Sequence, residues 1–164
     1  MHAHCEHVGA VSGEPGASEG FYVRGRGRPL VSEPIRSSSS IAMAHQLLQR
    51  YQPGGEAPET ARHDVAAYLI DVGHSELSPV AELLTSELVT SSLVHAKGVV
   101  TLRAMWTGER LRVEVSDHGG ARPMPWDPEM PGRGLRTVGV LAADWGVRRL
   151  DDDGRASWFD LDGT

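Results

Sequence analysis

Apolar positions in this chain keep a helical period through the segment that ends at Gly98, and the period switches to two directly after it. The segment Ile41 to Tyr51, IAMAHQLLQRY, is a short apolar run closed by Pro53-Gly54-Gly55, and it reads as an edge strand. In the following PETARHDVAAYLIDVGHS, the residues Ala61, Val65, Tyr68, Leu69 and Val72 fall at i, i+4, i+7, i+8 and i+11. That spacing predicts an amphipathic helix, stopped by Gly73. Ser78 as N-cap and Pro79 in the first turn predict a second helix reaching to Gly98, with Val80, Leu83, Leu84 and Leu88 on its inner face.

After Gly98, VVTLRAMW places Val100, Leu102, Ala104 and Trp106 on one face of a strand. RLRVEVSD does the same with Leu111, Val113, Val115 and Asp117, and Thr107-Gly108-Glu109 between them reads as a hairpin turn. HGGARPMPWDPEMPGRG is too rich in Pro and Gly for a regular element; loops of that length inside a domain usually carry function. GLRTVGVLAADW then predicts a short helix, and WGVRRL and ASWFDL two closing strands around the turn Asp151-Asp152-Asp153-Gly154. Trp145 and Trp158 on those strands read as core residues. The order of elements predicts an α/β (α+β) fold: a two-layer α/β sandwich, with helices on one face of a mixed or antiparallel sheet.

Composition sharpens the domain boundary. Residues 1–40 draw sixteen of their number from Gly, Pro and Ser, and four Arg there balance four Glu. With no sustained apolar period, they read as a disordered N-terminal tail ahead of one folded domain, residues 41–164. The whole net charge of -6 therefore belongs to the folded part, which argues against direct nucleic-acid binding or an anionic membrane surface. The RGRGR of residues 24–28 reads as a solvated basic patch. His2, His4, Cys5 and His7 crowd the start of the chain, but a floppy terminus lacks the geometry of a dedicated metal site. A single Cys5 allows no internal disulfide, and no run suits a signal or membrane segment, so the expected compartment is the cytoplasm.

Candidate chemistry centres on ELVTSSLVHA. Glu87, Ser91 and His95 recur at intervals of four, a polar stripe on a helix whose other side is apolar. A carboxylate there loses hydration unless a cation, water or ligand satisfies it; solvent at a frayed helix end or pairing with an Arg would serve equally. Asp117 supplies a second inward carboxylate at the mouth of the Gly119-Gly120 turn, where a simple Asx-turn is the alternative. Gly132-Arg133-Gly134-Leu135 opens a helix whose free N–H groups suit a phosphate, although glycines there also serve as hinges.

These motifs, in this order, resemble the GHKL ATP-binding domains, and within them the small bacterial anti-sigma-factor serine/threonine kinases. SELVTSSLVHA is similar to the N box (ELVTNAVRHA), VSDHGGA to the first glycine box (DxGxG), GRGLRTV to the second, and DGRASWFDL to the closing GKTVWFEL strand. The resemblance covers residues 57–162 and implies a Bergerat-type fold holding ATP and Mg²⁺. It implies Glu87 as the catalytic carboxylate and Asp117 as acceptor of the adenine amino group. Gly119, Gly132, Arg133, Gly134 and Leu135 would approach the nucleotide, Ser91 would stand at the metal-ligand position, and His95 would be structural. It further implies protein partners: a sigma factor that is sequestered and an anti-anti-sigma factor whose serine is phosphorylated. A homodimer is compatible with it.

Three positions depart from the family pattern. Ser91 replaces the Asn that ligates Mg²⁺, Ala121 replaces the last Gly of the first glycine box, and Ala156 replaces a Thr that helps bind adenine, with Ser157 offering a hydroxyl on the opposite face. They leave open a second expectation, a non-catalytic kinase-like interaction module. A detached histidine-kinase catalytic domain is disfavoured, because no helical pair bearing an acceptor His precedes the domain.

Overall fold

The computed structural model describes residues 23–24, 46–118, 133–150 and 154–163. Its elements are β1 (Val23–Arg24), β2 (Gln46–Tyr51), α1 (Ala57–Asp71), a 3₁₀ turn (Ser75–Leu77), α2 (Ser78–His95), β3 (Val100–Trp106), β4 (Arg110–Asp117), α3 (Arg133–Leu141), β5 (Asp144–Arg149) and β6 (Arg155–Asp162). They form a two-layer α/β sandwich. The sheet runs β1-β5-β6-β4-β3-β2, and every neighbouring pair is antiparallel, so the mixed alternative is removed.

Each helix forms where the apolar spacing requires, and its end follows from local chemistry. α1 closes in a Schellman arrangement: His74 N–H donates to Leu69 C=O at 2.8 Å, and Gly73 N–H to Ile70 C=O at 3.1 Å. That geometry needs the left-handed region at Gly73, which sits at φ 82. The expected N-cap at Ser78 is corrected. The 3₁₀ turn runs directly into α2, Leu77 takes the cap position, and Ser78 is helical at φ -53, ψ -46. An N-cap side chain reaches its N–H from extended backbone, so the Ser78 hydroxyl is left buried without a hydrogen bond.

The β3–β4 hairpin turns at Gly108, φ 95, and puts Trp106 opposite Leu111, Ala104 opposite Val113, and Leu102 opposite Val115. Phe159 and Leu161 of β6 extend the same face from Val113 and Leu111. Against that face lie Ala81, Leu84, Leu88 and Val89 of α2, Ala61, Val65 and Leu69 of α1, and Leu135 and Val138 of α3. Each fully buried aliphatic side chain contributes about 1.5–3 kcal/mol of transfer free energy, which makes α2, in the middle of the layer, the chief anchor.

Other sequence expectations are revised here. The edge strand, expected over 41–51, is described over 46–51, and residues 41–45 lie outside the described residues. The third helix ends at Leu141, because Asp144 and Trp145 already belong to β5. Leu83 is not an inner residue: it is 44% exposed, while Thr85 takes the buried place beside Leu84. Within the tail read as disordered, Val23–Arg24 pairs with Val147 and Gly146 of β5; the rest of residues 1–45 lies outside the described residues.

The tryptophans of the closing strands divide by register. Trp145 lies opposite Phe159 on the helix face and packs at the margin of the core, with Gly139 of α3 so near that an added Cβ would stand 3.3 Å from its indole nitrogen. Trp158 lies on the other face, half-buried, with the Arg112 guanidinium 4.2 Å above its ring. Reading Trp158 as core was therefore wrong, because parity gives the inward place to Phe159.

Candidate functional site

Asp117 closes β4 on the helix face, as its alternation with Leu111, Val113 and Val115 requires, and is only 3% exposed. Its cross-strand partner in the β4–β6 register is Arg155. Strand parity puts Arg155 on the same face as Ser157 and Phe159, beneath the C-terminal half of α2. The sequence held that signal, an arginine two residues before an inward serine, and the reading of motifs passed over it.

Arg155 links three elements. Its Nη2 donates to the Ser91 carbonyl at 3.1 Å and to Ser91 Oγ at 3.3 Å, and its Nε stands 3.7 Å from Asp117 Oδ2. The last distance is an ion pair beyond hydrogen-bond reach. Burial pushes the guanidinium's pKa down, while the Asp117 charge pulls it back up; an arginine stays charged through such shifts. The carboxylate of β4 and the polar stripe of α2 therefore meet through a cation supplied by β6.

The fold has removed several polar atoms from water without giving them a hydrogen-bond partner: Arg155 Nε at this link and Ser157 Oγ two residues on along β6, and Thr85 Oγ1 and Ser92 Oγ on α2. Desolvating such groups costs about 1–3 kcal/mol each when nothing replaces their water. Ser157 lies opposite Val115 and diagonal to Asp117 on one face of the sheet. A carboxylate, a guanidinium N–H and a hydroxyl thus lie together on the face of the sheet that α2 covers.

The other nominated residues fall into two sets. Glu87 is half-buried one helical turn before Ser91, at the edge of the buried face of α2. His95 is the last residue of α2. Arg133 and Gly134 do open a helix, α3, as expected, and Leu135 turns its side chain into the core, leaving only its backbone N–H for any ligand. Gly119, Ala121 and Gly132 lie outside the described residues, as do His2, His4, Cys5 and His7. Ala156 is buried on the helix-free face of the sheet, so Ser157 alone of that pair faces α2.

The groups implied by the motifs fare differently against these residues. Asp117 and Ser157 fit an adenine-like base, since they supply a buried carboxylate and a buried hydroxyl on one face of the sheet. Ser91 does not fit Mg²⁺: its hydroxyl already accepts a hydrogen bond from a guanidinium, and the carbonyl of the same residue accepts another. A dication demands close oxygen ligands in octahedral array and is repelled by a fixed positive charge at that range. Among the described residues, no group of three His, Cys, Asp or Glu side chains is placed to hold a metal.

Elsewhere, an open hollow of about 500 Å³ lies at the β2–α1 turn, lined by Arg50, Tyr51, Pro53, Glu56 and Thr60. No residue nominated by the sequence lines it. His74, to which spacing along the sequence assigns no partner, stacks its ring on Trp106 at 3.6 Å and places its Nδ1 3.1 Å from Glu76 Oε1. Among the described residues no helix is long and apolar enough to cross a membrane. Neither a family model nor a curated protein matches the chain.

Proposed function

We propose that this chain is a nucleotide-binding regulator of the anti-sigma serine-kinase type, with a Bergerat-like pocket between α2 and the sheet. It binds ATP, captures a sigma factor in the cytoplasm and transfers a phosphoryl group to a serine of an anti-anti-sigma partner. The observation that carries this reading is Asp117: a carboxylate at the end of a central strand, almost wholly buried, with Arg155 and the unbonded Ser157 hydroxyl on the same face. Fully packed cores seldom retain such groups, whereas ligand pockets use a few of them to fix orientation.

In this reading Asp117 accepts from the amino group of the base, and Ser157 fixes the edge beside it. The free N–H groups of the first turn of α3, at Arg133, Gly134 and Leu135, face the phosphates. Glu87, one turn before Ser91, orients the attacking serine hydroxyl and takes its proton as the phosphoryl group leaves the nucleotide. ATP supplies the transferable group.

Calorimetry with ATP and ADP tests the reading. Saturable binding to the wild-type chain that Asp117→Asn abolishes is the expected outcome; no heat and no thermal shift with either nucleotide would remove it. Glu87→Ala is expected to retain binding and to lose transfer to a partner serine.

One observation favours a second reading, a partner-binding module without catalysis: the Arg155 bond to Ser91 takes up the hydroxyl that would face a metal. Partner capture of equal strength with and without nucleotide would select it.

A further inference from the structure

We infer that Arg155 stands in for a divalent cation in this pocket, so that nucleotide binding by this chain is independent of metal. The inference rests on the proposed nucleotide pocket and specifies how that pocket handles charge. Arg155 ties α2 to the sheet, reaching Ser91 on α2 and Asp117 on β4. Its position is built rather than incidental. The β4–β6 register sets it directly opposite Asp117, and its side chain is 21% exposed against 4% for the carboxylate.

Three consequences follow from the guanidinium's chemistry. It carries its charge at every physiological pH, so the crevice keeps a resident cation. Bonded to both oxygens of Ser91, it competes with a small dication for them and repels it at that range. Its Nε–H remains buried with no hydrogen-bond acceptor, so one donor is left for an anionic or carbonyl oxygen of the ligand. Asp117 offsets part of the charge and holds the group in place. In a chain of net charge -6, such a local cation lets a polyphosphate approach.

The experiment is calorimetric titration of the full chain with ADP, once in EDTA and once in excess Mg²⁺. The expected dissociation constants agree within about two-fold. Arg155→Gln is expected to weaken binding in EDTA by about tenfold, with Mg²⁺ restoring part of the loss, while Arg155→Lys keeps metal independence. A second readout needs no nucleotide: the electron paramagnetic resonance spectrum of Mn²⁺ added to the wild-type chain is expected to remain that of the free ion. ADP binding that needs Mg²⁺, or Mn²⁺ captured by the wild-type chain, overturns the inference and leaves the nucleotide reading standing. Absence of ADP binding under both conditions overturns the nucleotide reading, and this inference falls with it. Should Arg155→Gln fail to fold, the wild-type comparison and Arg155→Lys still decide.

Discussion

Arg112 and Asp160 face each other across β4 and β6 on the helix-free side of the sheet, joined by two parallel bonds of 2.7 Å, Nε to Oδ1 and Nη2 to Oδ2. The guanidinium also covers Trp158, and its pKa is raised first by the bond to Asp160 and then, against its desolvation, by the charges of Asp160, Asp144 and Glu114. Arg148 adds a second pair, reaching both oxygens of Glu114 at 3.0 and 3.1 Å. The sheet face without helices is thus held by ion pairs and one stacked indole. Arg112 is 44% exposed but Asp160 only 7%, so removing the arginine strands a buried carboxylate. Arg112→Ala is expected to cost about 2 kcal/mol in urea denaturation, and Arg112→Lys about half of that, because a lysine cannot make the two-pronged bond.

Tyr68 serves the hairpin from the helix layer. Its hydroxyl accepts the backbone N–H of Trp106 at 2.7 Å, and burial pushes its pKa up while that N–H pulls it down. Tyr68→Phe leaves the amide without that acceptor and is expected to lower stability by about 1–2 kcal/mol with no change in the denaturant slope.

Leu84 and Leu83 are neighbours in sequence with opposite surroundings, the first fully buried and the second 44% exposed. Leu84→Ala opens a cavity under α2 and is expected to cost about 3 kcal/mol; Leu83→Ala is expected to cost less than about 1 kcal/mol. Equal losses in thermal or urea unfolding would contradict the placement of α2.

Glu76 carries a sign that can be worked out. Its own backbone N–H, and then His74, hold its carboxyl below the usual value of 4.5. A depressed folded pKa contributes stability that is complete above the unfolded value and is lost as pH falls through the folded value. The stability difference between the wild type and Glu76→Gln is therefore expected to be present at neutral pH and to vanish below the carboxylate range. A difference that grew with acid would reverse the assignment.

Asp117 and Arg155 are coupled. Asp117→Asn leaves the guanidinium beneath α2 without its counter-charge and is expected to cost about 2 kcal/mol, beyond its effect on nucleotide. Adding Arg155→Met removes the stranded cation, so the double variant is expected to be more stable than Asp117→Asn alone; a strictly additive cycle would show that the pair does not interact.

Much of this architecture follows from local pattern. The change from helical to alternating period at Gly98, the stop at Gly73 and the turn at Gly108 are set by residues within a few positions of each other, and the elements stand where that pattern puts them. Asp117 as an inward carboxylate followed from the parity of β4 alone. The candidate site was half legible for the same reason. Glu87, Ser91 and Asp117 could be named from their own elements. Arg155 gains its meaning only from the β4–β6 register, which pairs residues 38 positions apart.

By itself, then, the sequence determined which of the main segments are helix or strand and the apolar face of α1, β3 and β4, because those properties depend on spacings of two to four residues. Tertiary structure decided what the polar residues do. The antiparallel register set Arg155 against Asp117 and Arg112 against Asp160, sent Trp158 away from the core that received Phe159, and brought His74 onto Trp106. Hydrogen bonds and ion pairs act over about 3–4 Å, and only the packed fold brings distant residues that close.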